Sequence, residues 1–125
     1  MNRCVQVVED DEDIRYVVAY LLEDAGCTVE TFENARAFHN RAQKEDVDLI
    51  ILDVRLPDGN GIDISKAVKS DVQTSSIPVI IMSAHVQGDL AISEGRANEF
   101  IQKPFDLDFF INKVSDVMSI HGKHA

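Results

Sequence analysis

Apolar residues gather in five short runs: Cys4 to Val8, Thr28 to Phe32, Leu49 to Leu52, Ile77 to Met82 and Phe100 to Gln102. The third and fourth runs are rich in Ile, Leu and Val, as strands buried on both faces of a parallel sheet should be. The second and fifth are weaker, which places them toward the edges. Between the first two runs, Ile14, Val17, Val18, Leu21, Leu22 and Ala25 recur at helical spacing, and Gly26 supplies a stop. Leu107, Phe110, Ile111, Val114, Val117 and Met118 form a second apolar stripe, with Asp106 placed to cap it. Less regular helices are expected from Asn34 to Lys44, from Ile62 to about Val72 and from Asp89 to Gly95. The alternation predicts an α/β fold, a single doubly wound (βα)5 domain with a five-stranded parallel sheet.

The 125 residues fit one domain, residues 1–125, with the terminal HGKHA (121–125) expected to fray. No repeat, low-complexity stretch or linker interrupts it. With 22 acids against 12 bases the net charge is −10, which disfavours direct nucleic-acid binding and favours cations. The first acids follow the start too closely for a signal peptide, and no apolar run approaches the roughly 18 residues of a membrane span. A cytoplasmic protein without membrane contact is inferred. Cys4 and Cys27 have no metal-ligand spacing and are expected to be free, small buried hydrophobes. His39, His85, His121 and His124 are scattered, so zinc has no support.

Ligands of doubly wound sheets bind at the carboxyl ends of the strands. Those positions hold Glu9 and Asp10 after the first run, Asp53 after the third, Ser83 after the fourth, and Lys103 with Pro104 after the fifth. Each has an ordinary reading: acids favoured at a helix start, a strand-end cap before LPDGNG, a turn hydroxyl, a solvated lysine. That reading accounts for Asp11, Glu12 and Asp13. Taken together, three acids, a hydroxyl and an amine point to a site, because uncompensated carboxylates repel and call for a hard cation with oxygen ligands.

At these residues the chain resembles the receiver domains of two-component response regulators, and the resemblance covers essentially its whole length. VVEDDEDIR resembles the family's opening acidic motif. LDVRLPDGNG resembles the phosphoacceptor segment, IMSAH supplies the hydroxyl, and IQKPFDLD supplies the lysine and a proline that is usually cis. The resemblance implies the flavodoxin-like strand order 2-1-3-4-5, the order of a chemotaxis receiver of this class.

It also implies chemistry. Asp53 would attack a phosphohistidine of a sensor histidine kinase or histidine phosphotransfer protein. Asp10, Asp53 and the Arg55 backbone carbonyl would bind Mg²⁺, with Mn²⁺ as an alternative, and Glu9 would hold a metal-bound water. Ser83 and Lys103 would contact the phosphoryl oxygens, and Phe100 would turn inward as the Ser83 loop shifts. Arg55 and His85 stand where side chains influence hydrolysis of the acyl phosphate. The output would be a downstream protein partner or output domain, acting as a monomer or a phosphorylation-dependent dimer. The role is that of a phosphoacceptor with self-catalysed transfer rather than a turnover enzyme.

Two features depart from the pattern: a short Ser83 to Lys103 segment, and Arg96 where a glycine commonly precedes the alanine. Three other readings share features of the site. A flavodoxin-like cofactor binder conflicts with the acidic first loop, a small Mg²⁺-dependent phosphohydrolase would need a cap, and a receiver-like interaction module would not need Asp10, Asp53, Ser83 and Lys103 together.

Overall fold

The computed structural model describes residues 3–41, 46–85 and 88–121. Its elements alternate as the apolar runs predict: β1 (Cys4–Val8), α1 (Glu12–Asp24), β2 (Thr28–Phe32), α2 (Ala35–Asn40), β3 (Leu49–Asp53), β4 (Arg55–Leu56), β5 (Gly59–Asn60), α3 (Gly61–Ser70), β6 (Val79–Ser83), α4 (Gly88–Ser93), β7 (Glu99–Gln102) and α5 (Leu107–His121). The main sheet is parallel, ordered β2-β1-β3-β6-β7, so the two weakest runs are its edges. Counting its five strands alone, this is the order 2-1-3-4-5.

Successive side chains of a strand point to opposite faces, and β3 divides accordingly. Ile50 and Leu52 pack with Val8, Phe38, Ile64, Ile81 and Ala91 beneath α2, α3 and α4. Leu49 and Ile51 pack with Val7, Val18, Leu22, Met82, Phe110 and Val114 beneath α1 and α5. Burying one such side chain contributes about 2 kcal/mol, so central strands with no polar interior position are favoured only between two helical layers.

The helix starts follow side-chain chemistry. Asp11, Asn34 and Asn60 accept hydrogen bonds from the backbone N–H groups of Ile14, Ala37 and Ile62. Asp106 accepts from Phe109 N, as its position predicts. Gly26 adopts φ +97° just after α1, a left-handed turn that ends the helix.

Several boundaries differ from the sequence reading. α2 stops at Asn40, because Arg41 turns extended and pairs with Glu30; residues 42–45, including Lys44, lie outside the described residues. α3 starts one residue early and ends at Ser70, leaving Val72 exposed. α4 runs from Gly88 to Ser93. β6 starts after Pro78, whose ring nitrogen cannot donate to a ladder. α5 continues through His121, and 122–125 lie outside the described residues. The cysteines are free, as expected, but half-buried rather than buried. No described helix is long and apolar enough to cross a membrane.

Candidate functional site

The carboxyl ends of β1, β3, β6 and β7 meet at a cavity of about 710 Å³, whose lining includes Asp10, Asp53, Arg55, Ser83, His85, Lys103 and Pro104. The ladder itself aligns them. Asp53 is the last residue of β3 and pairs in register with Met82, one residue before Ser83. The Lys103 N–H donates to the Ser83 carbonyl at 2.8 Å, extending the β6–β7 pairing by one step and setting the lysine beside the hydroxyl residue.

Glu9 is 0% exposed, although it lies in a run of acids. Its N–H donates to Phe32 O at 2.9 Å, which carries the β1–β2 pairing one residue further and points the side chain inward. There Oε1 accepts from Lys103 Nζ at 2.7 Å and Oε2 from the Asp11 N–H at 3.1 Å. Burial pushes the Glu9 carboxyl up to about 7, and the neighbouring Asp53 adds to the rise, against the hydrogen bond from Lys103. Burial also lowers the Lys103 ammonium, but its bonds to Glu9 and Asp53 outweigh that and raise it. Lys103 therefore stays charged, and it also lies 3.3 Å from Asp53 Oδ1. One ammonium offsets two buried acids.

Asp10, next along the chain, is exposed, because alternate residues leave a strand end in opposite directions. Carboxylate oxygens of Glu9, Asp10 and Asp53 all lie within 4.8 Å of one another. An all-oxygen set of that span suits a small hard cation that keeps some of its waters. Asp11 is the helix cap and Glu12 and Asp13 fill the first turn of α1, as the ordinary reading holds, though Asp11 and Asp13 also border the cavity.

The LPDGNG turn holds Asp53 in place. β4 and β5 form a two-residue antiparallel hairpin, and the Gly61 N–H donates to Val54 O at 2.8 Å. A Cβ on Gly61 would fall 2.1 Å from the carbonyl oxygen of Asp53, so no larger residue fits there. Ser83 is buried, and its hydroxyl accepts from the His85 N–H at 3.0 Å, so a turn role and a place at the cavity coexist. The Lys103–Pro104 bond is cis. Phe100 is not among the cavity's lining residues; it packs half-buried on the α2, α3 and α4 side, beside Gly88.

Sequence reasoning missed two residues. The Arg15 guanidinium reaches back from α1 to the carbonyls of Glu9 (2.8 Å) and Asp10 (3.4 Å). The Asp58 carboxylate receives the N–H groups of Ala35 and Arg36 at the start of α2. Only chain spacing could have hinted at Arg15, and nothing local could have hinted at Asp58.

A parallel sheet ordered in this way, with acids, a hydroxyl and a lysine at its carboxyl edge, defines a class of signalling module. The chain belongs to the response regulator receiver domain family, whose model matches residues 5–115. Over 117 residues, 92% of this chain, it is 35% identical to the DNA-binding transcriptional regulator NtrC of Escherichia coli K12 and spans 24% of that protein's length. The non-phosphorylated HemR receiver domain of Leptospira biflexa is 31% identical with a TM-score of 0.85, and the match covers 98% of this chain and 99% of that one. The BeF3-activated receiver domain of DrrB, a Thermotoga maritima protein, is 26% identical with the same TM-score, over 95% of this chain and 99% of that one.

Proposed function

We propose that Asp53 accepts a phosphoryl group from a phosphohistidine of a sensor histidine kinase or histidine phosphotransfer protein, and that the modified domain then switches partner binding. The observation that carries this reading is the meeting of Asp53 with Lys103 at a cavity bordered by carboxylates. An Asp53 oxygen attacks phosphorus, the P–N bond breaks, and its electron pair leaves with the imidazole nitrogen, which takes up a proton. Asp10, Asp53 and the Arg55 carbonyl would hold Mg²⁺ or Mn²⁺, and Glu9 would hold a water bound to it. When bound, the cation offsets charge on the transferring group. Lys103 supplies the second counter-charge, and Ser83 donates to a phosphoryl oxygen once its loop moves. Phe100 follows that movement, while Arg55 and His85, at the rim, set how readily water reaches the acyl phosphate.

The whole chain acts as one receiver domain, either alone or joined to an output domain, as a monomer or a phosphorylation-dependent dimer. Related DrrB has been captured in a BeF3-activated form, which supports the same chemistry here.

The test is intact mass and NMR response to acetyl phosphate or beryllofluoride with Mg²⁺, in wild type, Asp53→Asn and Asp53→Ala. A labile gain of one phosphoryl group in wild type alone is expected, with Lys103→Ala still labelled but unable to switch. Labelling that survives in Asp53→Ala defeats Asp53 as the acceptor, and no response in wild type defeats the whole reading and leaves a receiver-like interaction module.

A further inference from the structure

We infer that Arg15 is a positioning residue for the cation site: it clamps the backbone of Glu9 and Asp10 so that the Asp10 carboxylate faces Asp53. This rests on the reading of the site given above.

Glu9 is tied down through its N–H, both carboxylate oxygens and its carbonyl. Asp10 is different. Among the described residues no hydrogen bond holds its carboxylate, so the direction of that side chain depends on the backbone beneath it. That backbone is held by one Arg15 nitrogen, Nη1, which donates to both the Glu9 and Asp10 carbonyls. The arginine is in turn fixed by its place in the first turns of α1, where its own N–H donates to Asp11 O at 2.9 Å. Helix α1 thus holds the loop twice, at the Asp11 cap and one turn later through a half-buried guanidinium.

Charge and position make opposite predictions, which separates them. A positive charge near a cation site opposes binding, so Coulomb's law alone has Arg15→Ala tighten Mg²⁺ binding. Loss of a clamp behind a ligand weakens it, typically by about tenfold or more. We expect weakening by about tenfold in Arg15→Ala. Arg15→Lys, which keeps the charge and donors on a single nitrogen, should fall between Arg15→Ala and wild type.

The experiment titrates Mg²⁺ into the metal-free protein at constant ionic strength, followed by amide NMR shifts and calorimetry. Amide exchange of Asp11 in the metal-free state provides a second readout and should be faster in Arg15→Ala. Arg15→Gln supplies the same reading if the alanine variant does not fold. Unchanged or tighter Mg²⁺ binding in a folded, uncharged variant overturns the clamp while wild-type saturation leaves the site standing. Absence of any saturable response in wild type overturns both.

Discussion

β3 carries Asp53 between two flanks that are built differently. On the β1 side, Glu9 is fixed at four points and α1 follows without a break. On the β6 and β7 side, the Ser83 hydroxyl accepts a turn bond from two residues on, α4 has six residues, and Arg96 sits at φ +56°. Phe100 is half-buried against Gly88, where even a methyl group would come within 3.2 Å of its ring. The contrast is one of bond type. A flank that gathers negative charge has to be rigid, since relaxation would let the acids separate. On the other flank the backbone stays in the sheet, but the Ser83 hydroxyl takes only a local turn bond among the described contacts, so that side chain can rearrange at small cost.

Removing the ammonium tests the rigid flank most directly. Lys103→Ala takes the counter-charge from the fully buried Glu9 carboxyl, whose already raised pKa climbs further so that it takes up a proton beside Asp53, and the lost hydrogen bond should cost about 2 kcal/mol in metal-free protein near pH 7. Added Mg²⁺ should restore part of it. Urea midpoints with and without Mg²⁺ measure both, and an unchanged midpoint would mean that Glu9 does not depend on Lys103.

Comparable in size is Gly61→Ala, whose Cβ would lie 2.1 Å from Asp53 O and 2.9 Å from Asp53 C. Those are backbone atoms, so the strand end has to move, at about 2 to 3 kcal/mol. Chemical denaturation reports the cost, and Mg²⁺ affinity should fall with it because Asp53 is displaced.

Arg96 probes the other flank. A left-handed backbone costs a non-glycine residue about 1 to 2 kcal/mol, whereas glycine gives back roughly 0.5 to 1 in unfolded-state entropy. The exposed bond from Arg96 to Ser70 Oγ is lost as well. Arg96→Gly should therefore stabilise the fold by only about 0.5 kcal/mol. Arg96→Ala, which keeps the strain and loses the bond, should destabilise it. If glycine lowers the denaturation midpoint, the Ser70 contact outweighs the strain.

The smallest effect is expected at Asp58. The Ala35 and Arg36 N–H groups hold its carboxyl below the ordinary value of 3.8. A depressed folded value means stability that is present above the unfolded pKa and lost as pH falls through the folded one. Asp58→Ala should thus be slightly less stable than wild type at pH 7, with the gap closing in acid. Parallel melts from pH 7 to pH 3 would show it, and a gap independent of pH would assign the effect to something other than this carboxylate.

The alternation of apolar runs and helical stripes was sufficient to predict a five-stranded parallel sheet and to put Glu9, Asp10, Asp53, Ser83 and Lys103 at its carboxyl edge, whereas the strand order came only from the family resemblance. The reason is that burial on both faces makes a central strand a continuous apolar run and burial on one face gives a helix its stripe, and both marks are visible in one dimension. The β4–β5 hairpin was not visible, because two-residue strands have no period. Nor could composition separate Glu9 from Asp10, adjacent acids of which one is buried against Lys103 and the other faces solvent. The Glu9 to Lys103 contact joins residues 94 apart, and Asp58 caps a helix 23 residues earlier in the chain. Which acid has a counter-ion, which backbone is clamped and which residue bears left-handed strain were decided by tertiary structure, because each depends on what packing brings within bonding distance.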